Sequence, residues 1–386
     1  MAIATLTGLV DDQDILQNER VIDMDPVISM LDADNSQFMT LLTRIARTTA
    51  NSTKVEWLED QLFPRLSSVA SGGASDGATV TVAAGEGVYF RANDIVRNAK
   101  TGVAFRVVSV STDTLTITNH LGSVAFAAHT AADQLLIVGN SAAQGATLGT
   151  RVQTKRVAQF NYTQIVRNPY GFTRSLMASK LYGGPVPDKE RKKKAVEHKR
   201  ALEYILFWGA RNLDLSGSEP NGQCGGLFEF ITTNVKNAGG TLTNVLLDSY
   251  LRDFMQHGNG SGVFFVSPVV AAAISGFLRS AWQPTTVETR LYGAKVDGFI
   301  SGAYGSSVPV IVKKDWNDFS TANNQYGGWA FYVTLDSIEL PVLRSTELLR
   351  DRQANDADTQ DEEYLTEQSM KVMQEKQHGI IKGVTG

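Results

Sequence analysis

The sequence predicts an α+β fold. Three features carry that expectation: one long helical pattern near the middle of the chain, Asp188 to Trp208; a run of short strand patterns between Ala78 and Val138; and a stretch from Thr241 to Leu335 where helical and strand patterns mix in one unit. The chain has 386 residues, 42% hydrophobic and 20% charged, which is globular composition with room for two or three domains.

Met1 to about Met30 is acidic (Asp11, Asp12, Asp14, Glu19, Asp23, Asp25). Its apolar residues come in pairs without a sustained period, the pattern of an arm that lacks its own core. From Asp34 to Ala50, Phe38, Leu41, Leu42 and Ile45 share one helical face after a capping-competent Asp34 or Ser36, so a short docking helix is expected. Lys54 to Leu66 reads as extended and ends in the linker-like SSVASGGASDG; a similar stretch, GNSAAQGATLG, precedes a second extended run from Thr150 to Arg167. Between them lies a β-rich unit, 78–138, with strands ATVTV, GVYF, DIVRN, GVAFRVVSV, TLTIT and QLLIV and turns at Asn93-Asp94, Ala99 to Gly102 and Ser111 to Asp113. A barrel or sandwich of about 60 residues buries only a marginal core, so support from outside is expected.

Without that insert, Lys54 to Arg65 and Thr150 to Arg167 form the legs of a long hairpin, polar near Arg151, Lys155 and Arg156 and apolar only toward Phe160, Tyr162 and Ile165. An isolated two-stranded ribbon is marginal in water, so this one is expected to lie across something else, plausibly a second copy. Tyr170 to Leu181 reads as a short amphipathic helix stopped by Gly183-Gly184.

The central rod follows. Pro185 and Pro187 bar a helix from running in, Asp188 can cap the first turn, and Gly209 suits a left-handed stop. Leu202, Ile205, Leu206 and Trp208 demand burial of its second half. The first half carries Lys189, Arg191, Lys192, Lys193, Lys194, Lys199 and Arg200 against Asp188, Glu190 and Glu197. Cations at a helix start oppose its dipole at about 0.3–1 kcal/mol each, so an acidic or phosphate partner is expected to offset them. A solvated basic face and a face that meets another subunit or nucleic acid both fit the pattern.

Beyond the turn-rich segment after the rod, Leu246, Leu247, Tyr250, Leu251, Phe254 and Met255 recur at helical spacing. Strand Val263 to Val266 then runs into Ser267-Pro268, a cap and first-turn proline that open a helix from Val269 to Arg279. Strands are expected at Lys295 to Ser301, Val308 to Lys313 and Trp329 to Leu335. The C-terminal part reads as a strand (SIELPVLR), an acidic tip from Asp351 to Glu363, and a return through Met370 and Val372 to Ile381.

Little chemistry is legible. A net charge of −4 argues against a dedicated nucleic-acid binder, and a single cysteine, Cys224, excludes an intrachain disulfide or a cysteine-cluster metal site and fits a reducing compartment. No secretory signal and no apolar run near the ~18–20 residues of a membrane span is read, so no membrane partner is expected; Asn51, Asn161 and Asn259 are chance matches to a glycosylation motif. Gly73 to Gly77 spells G-x-S-x-G around Ser75, but a nucleophile elbow needs a strand before and a helix after it. Gly258, Gly260 and Gly262 precede a strand, where a phosphate loop would follow one and carry a lysine. His120, His129, His198, His257 and His378 lack metal-ligand spacing. Asp361-Glu362-Glu363 could hold a cation, although such runs are more often solvated loops. No catalytic residue, metal site or cofactor is assigned, and the chain is read as a non-enzyme.

Local strings in a fixed order, NYTQIVRN, KRALEYILFWG, GGLFEF, VFFVSPVVAAAISGF, VDGFISGAYGSSVPVIV and EQSMKVMQEKQHGIIKGV, together with the layout of arm, hairpin with insert, rod and mixed unit, resemble the major capsid proteins of tailed bacteriophages with the Hong Kong 97-like fold, in the subgroup whose E-loop carries an extra domain. The resemblance covers about Asp32 to the end, the insert excepted. It implies an N-terminal arm and docking helix (1–50), an E-loop (51–77 and 139–168), an insertion domain (78–138), a P-domain (169–240 and 336–386) with spine helix 188–208, and an A-domain (241–335). It also implies self-assembly through hexameric and pentameric capsomers into an icosahedral or prolate head, formed in the bacterial cytoplasm, with portal and scaffold or decoration proteins as partners and weak non-specific contact to packaged double-stranded DNA. Within that frame the charge pattern makes Arg151, Lys155, Arg156, Arg191, Lys192, Lys193 and Lys194 the candidate contacts to acidic segments of neighbouring copies, the arm or the Asp351 to Glu363 tip. An encapsulin-like compartment, which shares the fold, and a carbohydrate-binding surface protein using Tyr89 and Phe90 are the alternatives; a hydrolase built on Ser75 ranks last.

Overall fold

The computed structural model describes residues 36–71, 79–118, 129–147, 149–179, 186–258, 262–281, 288–291, 294–300, 307–319 and 325–385. The acidic arm, Asp34, Ser75, His120, Asn259 and the Gly183-Gly184 stop lie outside them. Two compact units emerge, Leu58–Gln159 and the remainder of the chain.

The Leu58–Gln159 unit contains a closed barrel of β3 (Leu66–Ser71), β4 (Thr79–Val82), β5 (Asp94–Asn98), β6 (Ala104–Ser111), β7 (Thr114–Ile117) and β8 (Gln134–Asn140), in the order β3-β4-β7-β6-β5-β8. Alternation in these strands turns Val69, Val80, Val82, Val96, Phe105, Val107, Leu115, Ile117 and Leu135 inward, where they pack with Phe90. Two expectations change here. The stretch read as linker supplies β3, whose buried Ser67 stands at an inward position because its hydroxyl donates to Glu86 Oε2 at 2.7 Å. Gly87 to Phe90 (GVYF), expected as a strand, falls instead on a 3-10 turn, Glu86–Tyr89, with Phe90 at its end. Asp113 pins it by accepting from the N–H groups of Gly85 (3.0 Å) and Gly87 (3.1 Å), and a Cβ on Gly87 would lie 1.8 Å from the Thr112 carbonyl oxygen.

In the other unit, α1 (Gln37–Ile45) buries Phe38, Leu41 and Leu42 and stops earlier than Ala50, because Arg47–Thr49 forms β1, parallel to β19 (Ile338–Leu349). The hairpin legs pair only as β2 (Lys54–Glu59) with β9 (Val157–Tyr162). After Thr163 the chain turns into β10 (Gln164–Thr173), antiparallel along ten residues to β20 (Thr359–Gln368), which also pairs with β19; β21 (Lys371–Val372) joins β19 as well. Tyr170 to Thr173 are therefore strand, not helix: the Tyr170 ring stacks on Tyr364 across the ladder, and only Arg174–Ala178, α2, is helical.

The rod is α3 (Val186–Trp208), 23 residues and about 35 Å long. It starts before Asp188, which occupies the first turn instead of the cap. Gly209 does not take a left-handed conformation. It is required for space: a Cβ there would sit 2.3 Å from the Cys224 carbonyl oxygen, and Gly226 donates its N–H to the Gly209 carbonyl at 2.8 Å, so two backbones touch. Past this contact come the short pair β11 (Asn212–Asp214) and β12 (Asn221–Gln223) and one helical turn, α4 (Leu227–Phe230).

A seven-stranded sheet completes the unit, ordered β13 (Val235–Gly240), β22 (Gly379–Val384), β18 (Ala330–Thr334), β14 (Gly262–Val266), β17 (Ser307–Val312), β16 (Ala294–Ile300) and β15 (Glu288–Leu291). Both β14 and β18 are buried throughout, so alternate residues feed two cores. Val263, Phe265, Phe331 and Val333 pack with Phe38, Leu206, Phe207 and Trp316, that is, with α1 and the apolar end of α3. Phe264, Val266, Ala330 and Tyr332 pack with Leu247, Leu251, Phe254, Val270 and Ile274 of α5 (Asn244–Phe254) and α6 (Pro268–Ala281). Full burial of Leu202, Leu206 and Phe207 contributes roughly 1.5–3 kcal/mol each, which is what holds the rod's second half.

Candidate assembly surface

The first half of α3 lies against the β10/β20 ladder, and its cations divide into those used inside the chain and those left outside. Arg191 donates through Nε to Glu362 Oε2 at 2.7 Å and through Nη2 to Glu362 Oε1 at 2.5 Å, with Asp188 at 3.2 Å. Tyr170 donates its hydroxyl to the same carboxylate at 2.9 Å. The bidentate guanidinium first, then the tyrosine, hold the Glu362 carboxyl below the usual range, and burial together with that carboxylate pushes the Tyr170 phenol up. On the opposite face of β20, Glu363 accepts from Arg167 (2.8 Å) and Arg352 (3.2 Å), and Glu367 from Arg344 (2.6 Å) and the Thr163 hydroxyl (2.9 Å). The Asp361-Glu362-Glu363 run is thus strand with two buried carboxylates, not a solvated tip. His198 is buried between Asn168 and Thr366, both at 2.7 Å, and burial lowers its pKa. Its Nδ1 meets the Asn168 amide oxygen and its Nε2 the Thr366 hydroxyl, so both ring nitrogens have a partner within the chain.

Lys194 pairs with Glu197 at 2.6 Å. Lys192 and Lys193 are exposed and form no ion pair with any described residue, and the same holds for Arg151, Lys155 and Arg156 on the segment before β9. Arg151, Lys155 and Arg156 belong to the Leu58–Gln159 unit, Arg191 to Lys194 to the other, and Arg191 is held by its own chain.

Sequence reasoning missed a buried charged node. Lys313 binds the Glu203 carboxylate, with Asp315 at 3.8 Å and the Gln37 amide oxygen at 3.4 Å; Glu203 also accepts from the Met39 N–H at 3.3 Å. Burial raises the Glu203 pKa, and the lysine opposes that shift. The available signal was a lone carboxylate between Leu202 and Ile205 in the apolar half of the rod. Asn161 is likewise internal, since its amide donates to the carbonyls of Gly225 (3.0 Å) and Met370 (2.7 Å). Burial pushes the neighbouring Cys224 thiol up to about 11, which suits packing and not nucleophilic attack. Among the described residues no group of three or more His, Cys, Asp or Glu side chains could hold a metal ion, and no helix is long and apolar enough to cross a membrane. Left exposed are Lys192 and Lys193 in one unit and, in the Leu58–Gln159 unit, Arg151, Lys155 and Arg156 together with the apolar Leu58, Leu62, Leu66, Val138 and Val157.

No curated protein matches the chain. Among solved structures, the capsid protein of Myoviridae phage XM1 is similar over 97% of this chain and 99% of that one, at 11% identity and a TM-score of 0.51. The capsid protein of an empty GTA particle is similar over 98% and 100%, at 8% identity and a TM-score of 0.50. The SrpI encapsulin of Synechococcus elongatus PCC 7942 aligns over 60% of this chain and 78% of its own, at 11% identity and a TM-score of 0.45. The first two likenesses establish a mixed α+β capsid-type fold. The family model described as SU10 major capsid protein matches residues 6–385.

Proposed function

The chain belongs to the SU10 major capsid protein family, and from that premise we propose how its parts build a shell. It is a bacteriophage major capsid protein, a component of the virion. Its parts divide in the Hong Kong 97-like manner: the β2/β9 ribbon belongs to an E-loop (51–77 and 139–168) that carries the barrel as an insertion domain (78–138), α3 is the spine of a P-domain (169–240 and 336–386), and 241–335 form an A-domain. Copies assemble as hexameric and pentameric capsomers into an icosahedral or prolate head around double-stranded DNA, in the host cytoplasm, with portal and scaffold or decoration proteins as partners. The protein acts by binding its own kind and catalyses nothing.

The observation that carries the reading is the division of charge on α3: Arg191 and Lys194 are satisfied within the chain, while Lys192 and Lys193 are not. Exposed ion pairs are worth about 0.2–1 kcal/mol each, weak enough for misplaced subunits to leave and strong in aggregate when repeated around a closed shell. Exposed Arg151, Lys155 and Arg156 supply further contacts of the same kind. Lys192→Glu with Lys193→Glu should leave the subunit folded, with unchanged near-UV circular dichroism, yet abolish most particles in electron micrographs. Normal particles would refute the contact. If these lysines instead touch packaged DNA, particles form normally and the unassembled subunit's retention of DNA fragments falls with the substitution and with salt.

A further inference from the structure

The outer face of the barrel is an amphipathic surface with no internal purpose. Cross-strand register aligns Leu66, Leu136, Arg97 and Ala104 in one row across β3, β8, β5 and β6, and Ile95 with Arg106 beside it. Leu66 is 52% exposed, Val138 52% and Leu136 39%, which is unusual for aliphatic side chains on a small sheet. Arg97 and Arg106 are exposed and meet no described carboxylate. The described acids of the barrel are engaged elsewhere: Glu86 with Ser67 and Ser68, Asp94 with Arg91 and Asn140, Asp113 with Gly85 and Gly87, and Asp133 with Asn98, Thr130 and Lys100. A partner for this face must be both acidic and apolar.

The chain contains such a partner. Residues 1–35 carry eight acidic side chains against one arginine, interleaved with Ile15-Leu16, Val21-Ile22, Val27-Ile28 and Met30-Leu31. In Val21-Ile22-Asp23-Met24-Asp25 an extended backbone would set Val21, Asp23 and Asp25 on one face at about 7 Å spacing, one apolar side chain followed by two acids, with Ile22 and Met24 on the other. Val21 precedes Ser36 by 15 residues, a reach of about 50 Å for an extended chain.

We propose that the acidic N-terminal segment of one copy docks, through Val21, Asp23 and Asp25, on the Leu66/Leu136/Arg97/Arg106 face of the barrel of another copy. The docking rests on the assembly reading, adds a contact distinct from the α3 lysines, and makes the barrel a receptor for a neighbour's arm. The test uses full-length chains. One copy carries Val21→Cys, a second copy with a size tag carries Leu136→Cys, and particles assembled from both are oxidised with diamide and run on a non-reducing gel; the native Cys224 is buried and does not compete. A disulfide band of the mixed size is expected, at least tenfold weaker when Arg97→Glu and Arg106→Glu are added, and restored when Asp23→Arg and Asp25→Arg accompany them. In parallel, limited proteolysis of otherwise unmodified particles should cut within residues 1–35 faster once Arg97 and Arg106 are reversed. Assembled particles without the mixed band, or a band and a proteolysis rate indifferent to charge reversal, would overturn the docking. Failure of the unmodified chain to form particles would overturn the assembly reading beneath it.

Discussion

Replacing Lys313 by methionine should be among the most damaging single changes to the large core, and replacing its partner as well should undo most of the damage. Side-chain exposures are 1% for Lys313 and 5% for Glu203, so Lys313→Met leaves a carboxylate sealed among Phe38, Phe207 and Trp316 with only the Met39 N–H as donor. Breaking a buried pair from one side costs about 3–5 kcal/mol, and Glu203→Leu should cost about the same because it leaves the buried Lys313 ammonium without its nearest carboxylate, Asp315 standing at 3.8 Å. In the double variant no uncompensated charge arises from the pair. Asp315 retains its hydrogen bond with Tyr204, and the chief loss is the acceptor for the Met39 N–H, about 1 kcal/mol. A double variant within about 2 kcal/mol of the parent, set against singles summing to at least 6, gives a coupling of several kcal/mol. Urea unfolding of the unassembled chain, followed by tryptophan fluorescence, reads this core because Trp208, Trp316 and Trp329 line it. The single lysine variant should also recover at acid pH. A buried carboxyl with a raised pKa has its stability fully present below the unfolded value of about 4.3 and loses it as pH rises through the folded value, so Lys313→Met should lose less at pH 5 than at pH 8. A double variant no more stable than the worse single would refute the reasoning.

His378 is fully buried, accepts the Thr334 N–H at Nδ1 (3.2 Å), and burial pushes its pKa down to about 4. A depressed histidine contributes stability that is whole above the unfolded value of about 6.5 and is lost as pH falls through about 4, here up to about 3 kcal/mol; His378→Asn, which keeps an acceptor, should flatten the parent's decline in urea midpoint between pH 7 and pH 4. Thr112 holds φ at 51° in the two-residue loop between β6 and β7, a conformation costly for a β-branched residue, so Thr112→Gly should stabilise the barrel by about 1 kcal/mol, read as a higher urea midpoint, and an unchanged midpoint would show that no strain resides there.

What could be read from the chain was whatever local pattern decides. The apolar end of α3, the Ser267-Pro268 opening of α6 and the continuous apolar run of β14 are legible because burial on one or two faces writes itself into spacing. The errors share a cause: the deciding partner is far away in sequence. Glu362 and Glu363 look like a solvated tip until Arg191 and Arg167 arrive, 171 and 196 residues upstream. Ser67 looks like linker until Glu86 accepts its hydroxyl. Tyr170 and Phe172 stand two apart, a strand spacing inside a stretch read as helix, and the ten-residue ladder with β20 makes them strand. Gly209 reads as a left-handed stop, whereas close approach to Gly226 and Cys224 is what requires it. Of the expected contact residues, the type and charge were legible; that Arg191 would be bound internally was not.

That internal use of Arg191 bears on how one helix can serve both folding and assembly. Four cations in succession at the start of a helix are unfavourable, and the structure relieves the load unequally. Arg191, whose planar fork matches a carboxylate, is drawn onto Glu362 beneath the helix and fixes it to β20, with Tyr170 and His198 completing a polar seam that needs no solvent. Lys194 turns to Glu197 on its own helix. Lys192 and Lys193 point away from both and keep flexible, hydrated ammonium groups, the kind suited to weak contacts that can be made and broken. Arginine where permanence is needed and lysine where reversibility is needed is a consistent physical division. It predicts that exchanging the two types, Arg191→Lys against Lys192→Arg with Lys193→Arg, would loosen the subunit in the first case and slow the correction of misassembled shells in the second.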